Sequence, residues 1–394
     1  MIDLSPTMGN MAWPLTIFVA WLSGECAKKW INLPRISAYA AVGFAFSPFQ
    51  LGILPQNEPA ILLIANVAFG LLLFECGYYI NIRWLRTNPW IGVTSLVEAS
   101  LTFVAVYLLM RYLNQPLSTA LLFASLSMAT SPATIIRVVN EQRSSGQVTE
   151  RILHLATLNS VLAVLAFKII VGLVVFQTSG NFWVATYSSL IVLAASLVLG
   201  GGLGALIPAL LRLTRRTNYD STLAFTIAVI CLVVLAHNLK LSPVLATLMF
   251  GVSARHHRIV LNSSQRGFGA LGDLLSVLLF VFIAASIEWR QAVAGIGLGL
   301  LVILVRQIAK IVGISMFSHI SGISRRKGIL IGIGTAPISA FVILVLEQTR
   351  YLGINLVDQL APLAAMALIL EFFGPIVIRQ SLIGAHEIPE RKEP

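Results

Sequence analysis

Two adjacent residues, Asn159 and Ser160, sit inside an apolar stretch, and the segment Met128-Ala129-Thr130-Ser131-Pro132 sits inside another. These side chains offer oxygen ligands at a depth where lipid does not tolerate polar groups. A serine hydroxyl can give a ligand oxygen to a cation. It brings no counter-charge, and its pKa is too high for it to cycle a proton near neutral pH. Pro132 has no N–H to donate and clashes with the carbonyl four residues back, so a helix entering Thr130-Ser131-Pro132 must break there. Such a break survives in a bilayer only where the freed backbone groups face protein or a water-filled cavity. In secondary transporters a broken helix near the midplane marks the substrate site.

Ionisable residues inside apolar stretches are costly and functional by default. Here they are Glu75, Glu98, His154, Lys168, Asp273, Arg306, Lys310 and Glu371, with Glu25 and Glu347 near stretch ends. Arg306 and Lys310 are four residues apart and share one helix face. Two buried cations on one face call for an anion, a carboxylate or a pore; Glu371, Glu75 and Glu98 are the candidate partners, and the sequence does not choose among them. Lys310 can snorkel if its span is shifted. Lys168 lies about 12 Å along the axis from Ser160 and about 80° round it. It reads as a proton carrier, an anion-attracting group or half of an ion pair. His154 reads as an interfacial histidine or a pH sensor, and Asp220 as a helix N-cap. Cys26, Cys76 and Cys231 fit neither a metal site nor a disulfide framework and read as packing thiols. With no nucleophile–base pair or metal cluster apparent, the chain does not read as an enzyme. No cofactor is expected, and no metal beyond a transported monovalent cation.

The elements that must position these groups follow from composition. The chain is 57% hydrophobic and 11% charged, with mean hydropathy +0.87, far from the charge content of soluble domains. About 20 apolar residues cross a bilayer as a helix. Thirteen stretches qualify, at 11–27, 35–53, 59–80, 90–112, 117–139, 151–177, 183–211, 222–238, 242–255, 270–287, 293–316, 328–347 and 358–381. The first lacks a basic segment before it and reads as a retained span rather than a cleaved signal. The loops are short, with no soluble nucleotide-binding module among them.

The formal charge of +11 is a topology signal rather than a nucleic-acid footprint. Of 27 Lys and Arg, 20 fall in alternate loops or tails, four in the loops between, and three inside spans. The positive-inside rule then puts the N-terminus outside and the C-terminus in the cytoplasm, and the basic loops can attract anionic lipid. Ala129-Thr130-Ser131-Pro132 in the fifth span is echoed by Gly334-Thr335-Ala336-Pro337 in the twelfth, which runs the opposite way. Two Thr-x-Pro breaks in antiparallel spans are what an inverted repeat leaves behind.

Over roughly 11–381 the chain resembles the monovalent cation:proton antiporter superfamily, the sodium/proton exchanger fold. Lys28 to Arg35 looks like that family's basic turn before its second helix. Gly70-Leu71-Leu72-Leu73-Phe74-Glu75-Cys76-Gly77 is similar to its LLLFExG stretch, followed by the amphipathic Ile82 to Arg86. Ala129 to Pro132 and Gly334 to Pro337 match the two crossing helices, Leu158 to Ala163 the ion-binding (N/D)D-x-L-A segment, and Arg306 a buried Lys or Arg. Two departures stand out. Ser160 replaces the family's ion-binding aspartate, and Pro337-Ile338-Ser339 replaces Pro-Arg-Gly.

The resemblance implies an all-α membrane protein of about 13 helices with inverted repeats and two broken crossing helices. It implies core helices at about 90–177 and 293–381, scaffold and dimer helices at about 11–80 and 183–287, and a homodimer in the plasma membrane, the inner membrane of a bacterium. Alternating access would centre on Thr130, Ser131, Asn159, Ser160 and Thr335, with Pro132 and Pro337 at the breaks. Arg306, Lys310, Lys168, Glu371, Glu75 and Glu98 are the charge-coupling candidates. Three readings stay open at this point: exchange of Na⁺ or K⁺ for protons through a carboxylate other than residue 160, transport of a different and anionic solute, or a transport-inactive sensor or scaffold.

Overall fold

The computed structural model describes residues 5–55, 59–80, 82–179, 182–213, 220–257, 268–339, 342 and 361–389. Every regular element among them is helical. The first half holds α1 (Ser5–Cys26), α2 (Arg35–Phe46), α3 (Pro59–Tyr79), the short α4 (Ile82–Thr87), α5 (Trp90–Tyr112), α6 (Leu117–Ser127), α7 (Pro132–Gln142) and α8 (Gln147–Ser179). The second holds α9 (Phe182–Leu213), α10 (Asp220–Asn238), α11 (Pro243–His256), α12 (Gly269–Ala285), the short α13 (Trp289–Ala294), α14 (Ile296–Met316), α15 (Arg325–Gly334) and α16 (Ala361–Gly384). A π-helical turn, Ala27–Ile31, follows α1, and Asn32 closes it in the left-handed region at φ 56°.

Each of the thirteen apolar stretches falls on a helix, and the stretch 117–139 falls on two, α6 and α7. Of the twelfth, 328–347, only α15, the segment to Ser339 and Val342 are described. Glu347, Arg350 and the basic residues Arg215, Arg216, Arg258, Arg266, Arg391 and Lys392 lie outside the described residues. Seven helical units are long and apolar enough to cross a membrane, counting Leu117–Gln142 as one, and Arg35–Phe46, Thr222–Asn238 and Gly269–Ala285 are shorter apolar helices. This is a multi-pass membrane protein. Asp273 lies in the second turn of α12, with its side chain 77% exposed.

Small residues let backbones meet where no hydrophobic force drives helices together. Gly77 on α3 rests on the backbone of Leu248, and Gly251 on α11 rests on Phe74; a β-carbon on either would collide with the opposite helix. Around this contact Phe74, Phe225, Phe250 and Phe268 stack into one aromatic cluster.

Packing sorts the helices. α1, α2, α3 and α9 to α12 pack largely on one another, and so do α5 to α8 with α14, α15 and α16. The two groups meet where α2 and α3 touch α7, α3 touches α8, α2 touches α16, and α8 touches α9. Within the second group the order straight helix, broken helix, straight helix runs over 90–179, and from 296 the described residues give straight α14, then α15 ending at Gly334, then α16.

Candidate functional site

The first break is built by its own sequence. α6 stops at Ser127, and α7 restarts with Pro132 in its first turn, where a missing N–H is harmless. Ser131 is the N-cap: its Oγ accepts from Thr134 N at 3.3 Å and lies 2.8 Å from Thr134 Oγ1. The second break opens after Gly334, where the Thr335 hydroxyl turns back onto the Gly332 carbonyl at 2.8 Å. The breaks touch each other, because Ser131 N donates to the Pro337 carbonyl at 3.0 Å.

A broken helix leaves carbonyls without partners and a partial negative charge at its C-terminal end. Arg306, fully buried on α14, serves both ends at once. Its Nε donates to Ser127 O at 2.8 Å, its Nη2 to Ala129 O at 2.7 Å and Pro337 O at 3.4 Å, and its Nη1 to Ala336 O at 2.5 Å. The flat fork of guanidinium donors suits several fixed acceptors better than a lysine would. None of the three carboxylates considered from the sequence is its hydrogen-bond partner.

One turn along α14, Lys310 finds the carboxylate. Its Nζ is 2.5 Å from Glu98 Oε1 and also donates to Thr130 Oγ1 at 3.0 Å and Met128 O at 3.4 Å. Both side chains are 0% exposed. Gly313, three residues beyond Lys310, makes this approach feasible: a β-carbon there would lie 2.8 Å from Glu98 Cα. Asn159 Nδ2 donates to the other Glu98 oxygen, and Asn159 Oδ1 accepts from Ser95 Oγ at 2.7 Å. Asn159 also lies 3.4 Å from Thr130 Oγ1, and Ser160 Oγ donates to the Thr130 carbonyl at 2.7 Å. Thr102 adds a longer contact to Glu98 at 3.4 Å.

The structure therefore gathers Thr130, Asn159, Ser160, Lys310 and Glu98 around the first break, with Arg306 behind them. Ser131 faces its own helix start, and Thr335 its own helix end. Glu75 lies elsewhere, accepting from Asn140 of α7 at 2.9 Å. Lys168 is half-buried on α8, with no hydrogen-bond partner among the described residues. Glu371 is buried on α16, away from the cluster's hydrogen bonds. His154 packs on Trp84, ring centroids 4.6 Å apart, with Nδ1 2.7 Å from the Glu150 carbonyl. Sequence reasoning missed Ser95 and Thr102. Their signal was present, since positions 95, 98 and 102 follow the spacing of one helix face.

A cavity of about 560 Å³ opens between the two helix groups, among α1, α2, α7 and α12. Charged residues of both groups line it. Arg137 of α7 pairs with Asp273 of α12 at 3.0 Å, and Arg35 pairs with Glu25 at 2.9 Å. Glu141 of α7 lies 3.4 Å from Lys28 and accepts from Arg35 N at 3.2 Å.

The family described as sodium/hydrogen exchanger, transmembrane, matches residues 15–383. Two structures of the sodium proton antiporter MjNhaP1 from Methanocaldococcus jannaschii share the fold at 18% identity. One, at pH 8, has a TM-score of 0.70 over 98% of this chain and 99% of that one. The other, from electron microscopy, has a TM-score of 0.75 over the whole of both. At that identity the likeness establishes the all-α antiporter fold with its inverted repeat and crossing helices. No curated protein sequence matches the chain.

Proposed function

The chain belongs to the sodium/hydrogen exchanger family, and from that premise we propose that it exchanges a monovalent cation, Na⁺ or K⁺, for protons through Glu98 and Lys310. The observation that carries this reading is the buried pair itself. Where the family resemblance puts an aspartate the chain has Ser160, yet a carboxylate reaches the same break from α5, held by Lys310, Asn159 and a longer contact to Thr102.

Exchange requires that cation and proton exclude each other. With Lys310 protonated, Nζ occupies Glu98 and the pair is neutral. When Lys310 gives up its proton it no longer competes. Glu98, Thr130 Oγ1 and the Met128 carbonyl, all three engaged by Nζ, then offer oxygens to a cation. The loaded site, Glu98 carboxylate plus cation plus neutral amine, is again neutral. One cation replaces one proton at this pair, so its net charge is the same in the proton-loaded and cation-loaded forms, as a low-dielectric interior favours. Arg306 stays charged on the helix-end carbonyls and holds the break open. The same contacts weaken the anion reading, since Lys310 is paired with Glu98 and the Arg306 donors are taken up by helix-end carbonyls.

In this reading α5 to α8 and α14 to α16 move as a core against α1 to α3 and α9 to α12, around Thr130, Asn159 and Ser160. The protein works as a homodimer in the plasma membrane, the inner membrane if the source is bacterial, with its N-terminus outside. The test is cation-triggered proton release from acid-loaded proteoliposomes, followed with an internal pH dye. We expect release with Na⁺ or K⁺ from the native chain and loss in Glu98→Gln. Silence from the native chain, with release restored in Ser160→Asp, would instead mark a site switched off and favour the sensor reading.

A further inference from the structure

Resting on the antiport reading above, we propose that Ser95 of α5 is a positioning residue of the exchange site. Its hydroxyl holds the Asn159 side-chain amide one way round while Lys310 occupies Glu98, and the other way round when a cation takes that place, so that Asn159 Oδ1 joins the oxygens around the cation.

The starting observation is a hydroxyl that turns away from its own helix. Serines and threonines inside helices commonly bond the carbonyl four residues back, as Thr94 does to Trp90 O at 2.7 Å and Thr157 to Leu153 O at 2.8 Å. Ser95 is 1% exposed and donates instead across to Asn159 Oδ1 of α8, at 2.7 Å. That bond and the one beside it fix which way the amide faces. A carboxylate only accepts, so the group Asn159 turns to Glu98 Oε2 is its NH2, and its oxygen is left to Ser95. The NH2 also lies 3.4 Å from Thr130 Oγ1. Glu98 and Thr130 are the two side chains that Lys310 Nζ engages, at 2.5 and 3.0 Å.

The present orientation is complete for an ammonium and incomplete for a bare cation. An ammonium has three hydrogens to give, and Nζ gives them to Glu98 Oε1, Thr130 Oγ1 and Met128 O. An alkali cation in the same place needs further oxygens to replace its hydration shell, and the Asn159 group that shares Glu98 and Thr130 with it presents hydrogens. A half-turn of the amide exchanges oxygen and NH2. The torsion concerned is broad and roughly two-fold, so the turn needs no backbone movement. Ser95 suits both ends of it, because a hydroxyl donates or accepts. It donates to Oδ1 in the first orientation. In the second it accepts from Nδ2, and its own proton goes to the Ile91 carbonyl four residues back, the ordinary partner of a helical serine. Glu98 Oε2 gives up one donor and gains the cation.

The test measures Na⁺-driven proton efflux from proteoliposomes for the full chain, Ser95→Ala and Ser95→Thr. Alanine is a good helix former, but it leaves the turned NH2 buried without an acceptor. Ser95→Ala is expected to raise the KM for Na⁺ about ten-fold, with turnover little changed and the rise persisting at alkaline pH, where protons compete least. Ser95→Thr keeps the hydroxyl and should bring the KM back towards the native value. An unchanged KM in Ser95→Ala, or a rise that vanishes at alkaline pH, overturns the proposal. Infrared difference spectra between Na⁺ and choline buffers, on protein carrying ¹³C at its asparagine side-chain carbonyls, read the turn itself. The native protein should give a Na⁺-induced shift that is missing in Asn159→Ala. A native protein that exchanges without that shift overturns the turn and leaves antiport standing; one that gives the shift without exchange supports the turn and refutes antiport.

Discussion

At the scale of single residues, the informative exchange is a lost carboxylate for a retained one. Ser160 cannot carry a proton, and the acid tied to the first break is Glu98, one helix away but bonded to Asn159 and Lys310, which both reach Thr130. Removing one member of a buried ion pair costs about 3–5 kcal/mol, because it strands the other. Lys310→Met is therefore expected to lower the melting temperature in detergent sharply. The double variant Glu98→Gln/Lys310→Met should recover most of that loss while staying inactive; additive losses would mean the two residues do not act as a pair. Arg306→Ala leaves the buried carbonyls of Ser127, Ala129 and Ala336 without their donor, at about 1–3 kcal/mol for each group left unsatisfied. Thermal unfolding should show it as more damaging than Arg306→Lys, which restores charge but not the planar fork. Equal melting of the two variants would show that the charge alone matters.

At the scale of elements, the breaks could be read directly from Thr-x-Pro, because proline removes a donor wherever it falls. The spans could be read because long apolar runs are unambiguous. Partners could not. Whether Arg306 faces Glu75, Glu98 or Glu371 depends on how three distant helices pack, and the answer was backbone carbonyls, which no residue type announces. Glu98 was one of three candidates, and its polar neighbours on α5, Ser95 and Thr102, follow a helical spacing that would have favoured it. Thr335 shows the reverse: a hydroxyl at a matching motif position that bonds its own helix.

The start of α8 carries another element-level device invisible in sequence. Glu387, beyond α16, donates no proton but accepts from Val148 N, Thr149 N and Thr149 Oγ1, each at 2.8 Å. Its own carbonyl takes Ser145 N at 3.1 Å. A carboxylate at a helix N-terminus complements the dipole, and losing a cap costs roughly 0.5–2 kcal/mol. Glu387→Ala is expected to lower the melting temperature by a few degrees and leave the exchange ratio unchanged. A changed ratio would mean that this clasp takes part in transport.

At the scale of the whole molecule, the cavity of about 560 Å³ lies between the two helix groups, lined by α1, α2, α7 and α12. Around it stand Lys28, Arg35 and Arg137, members of the basic set that the positive-inside rule assigns to the cytoplasm. On the proposed topology this arrangement is the cytoplasm-facing state, and the Arg137–Asp273 pair, spanning the two groups, parts when the proposed core moves. Asp273 is 77% exposed, and such a pair is worth about 0–1 kcal/mol. Asp273→Asn should change the exchange rate by no more than a factor of about five, with a weaker dependence on ionic strength. The orientation itself is tested by a single cysteine at Ala270, on the cavity wall, in a chain whose Cys26, Cys76 and Cys231 are replaced by serine. A membrane-impermeant thiol reagent should label it in inside-out vesicles and leave it unlabelled in right-side-out ones. Labelling from the outer face alone would reverse the topology, and with it the direction in which Glu98 and Lys310 meet their cation in this state.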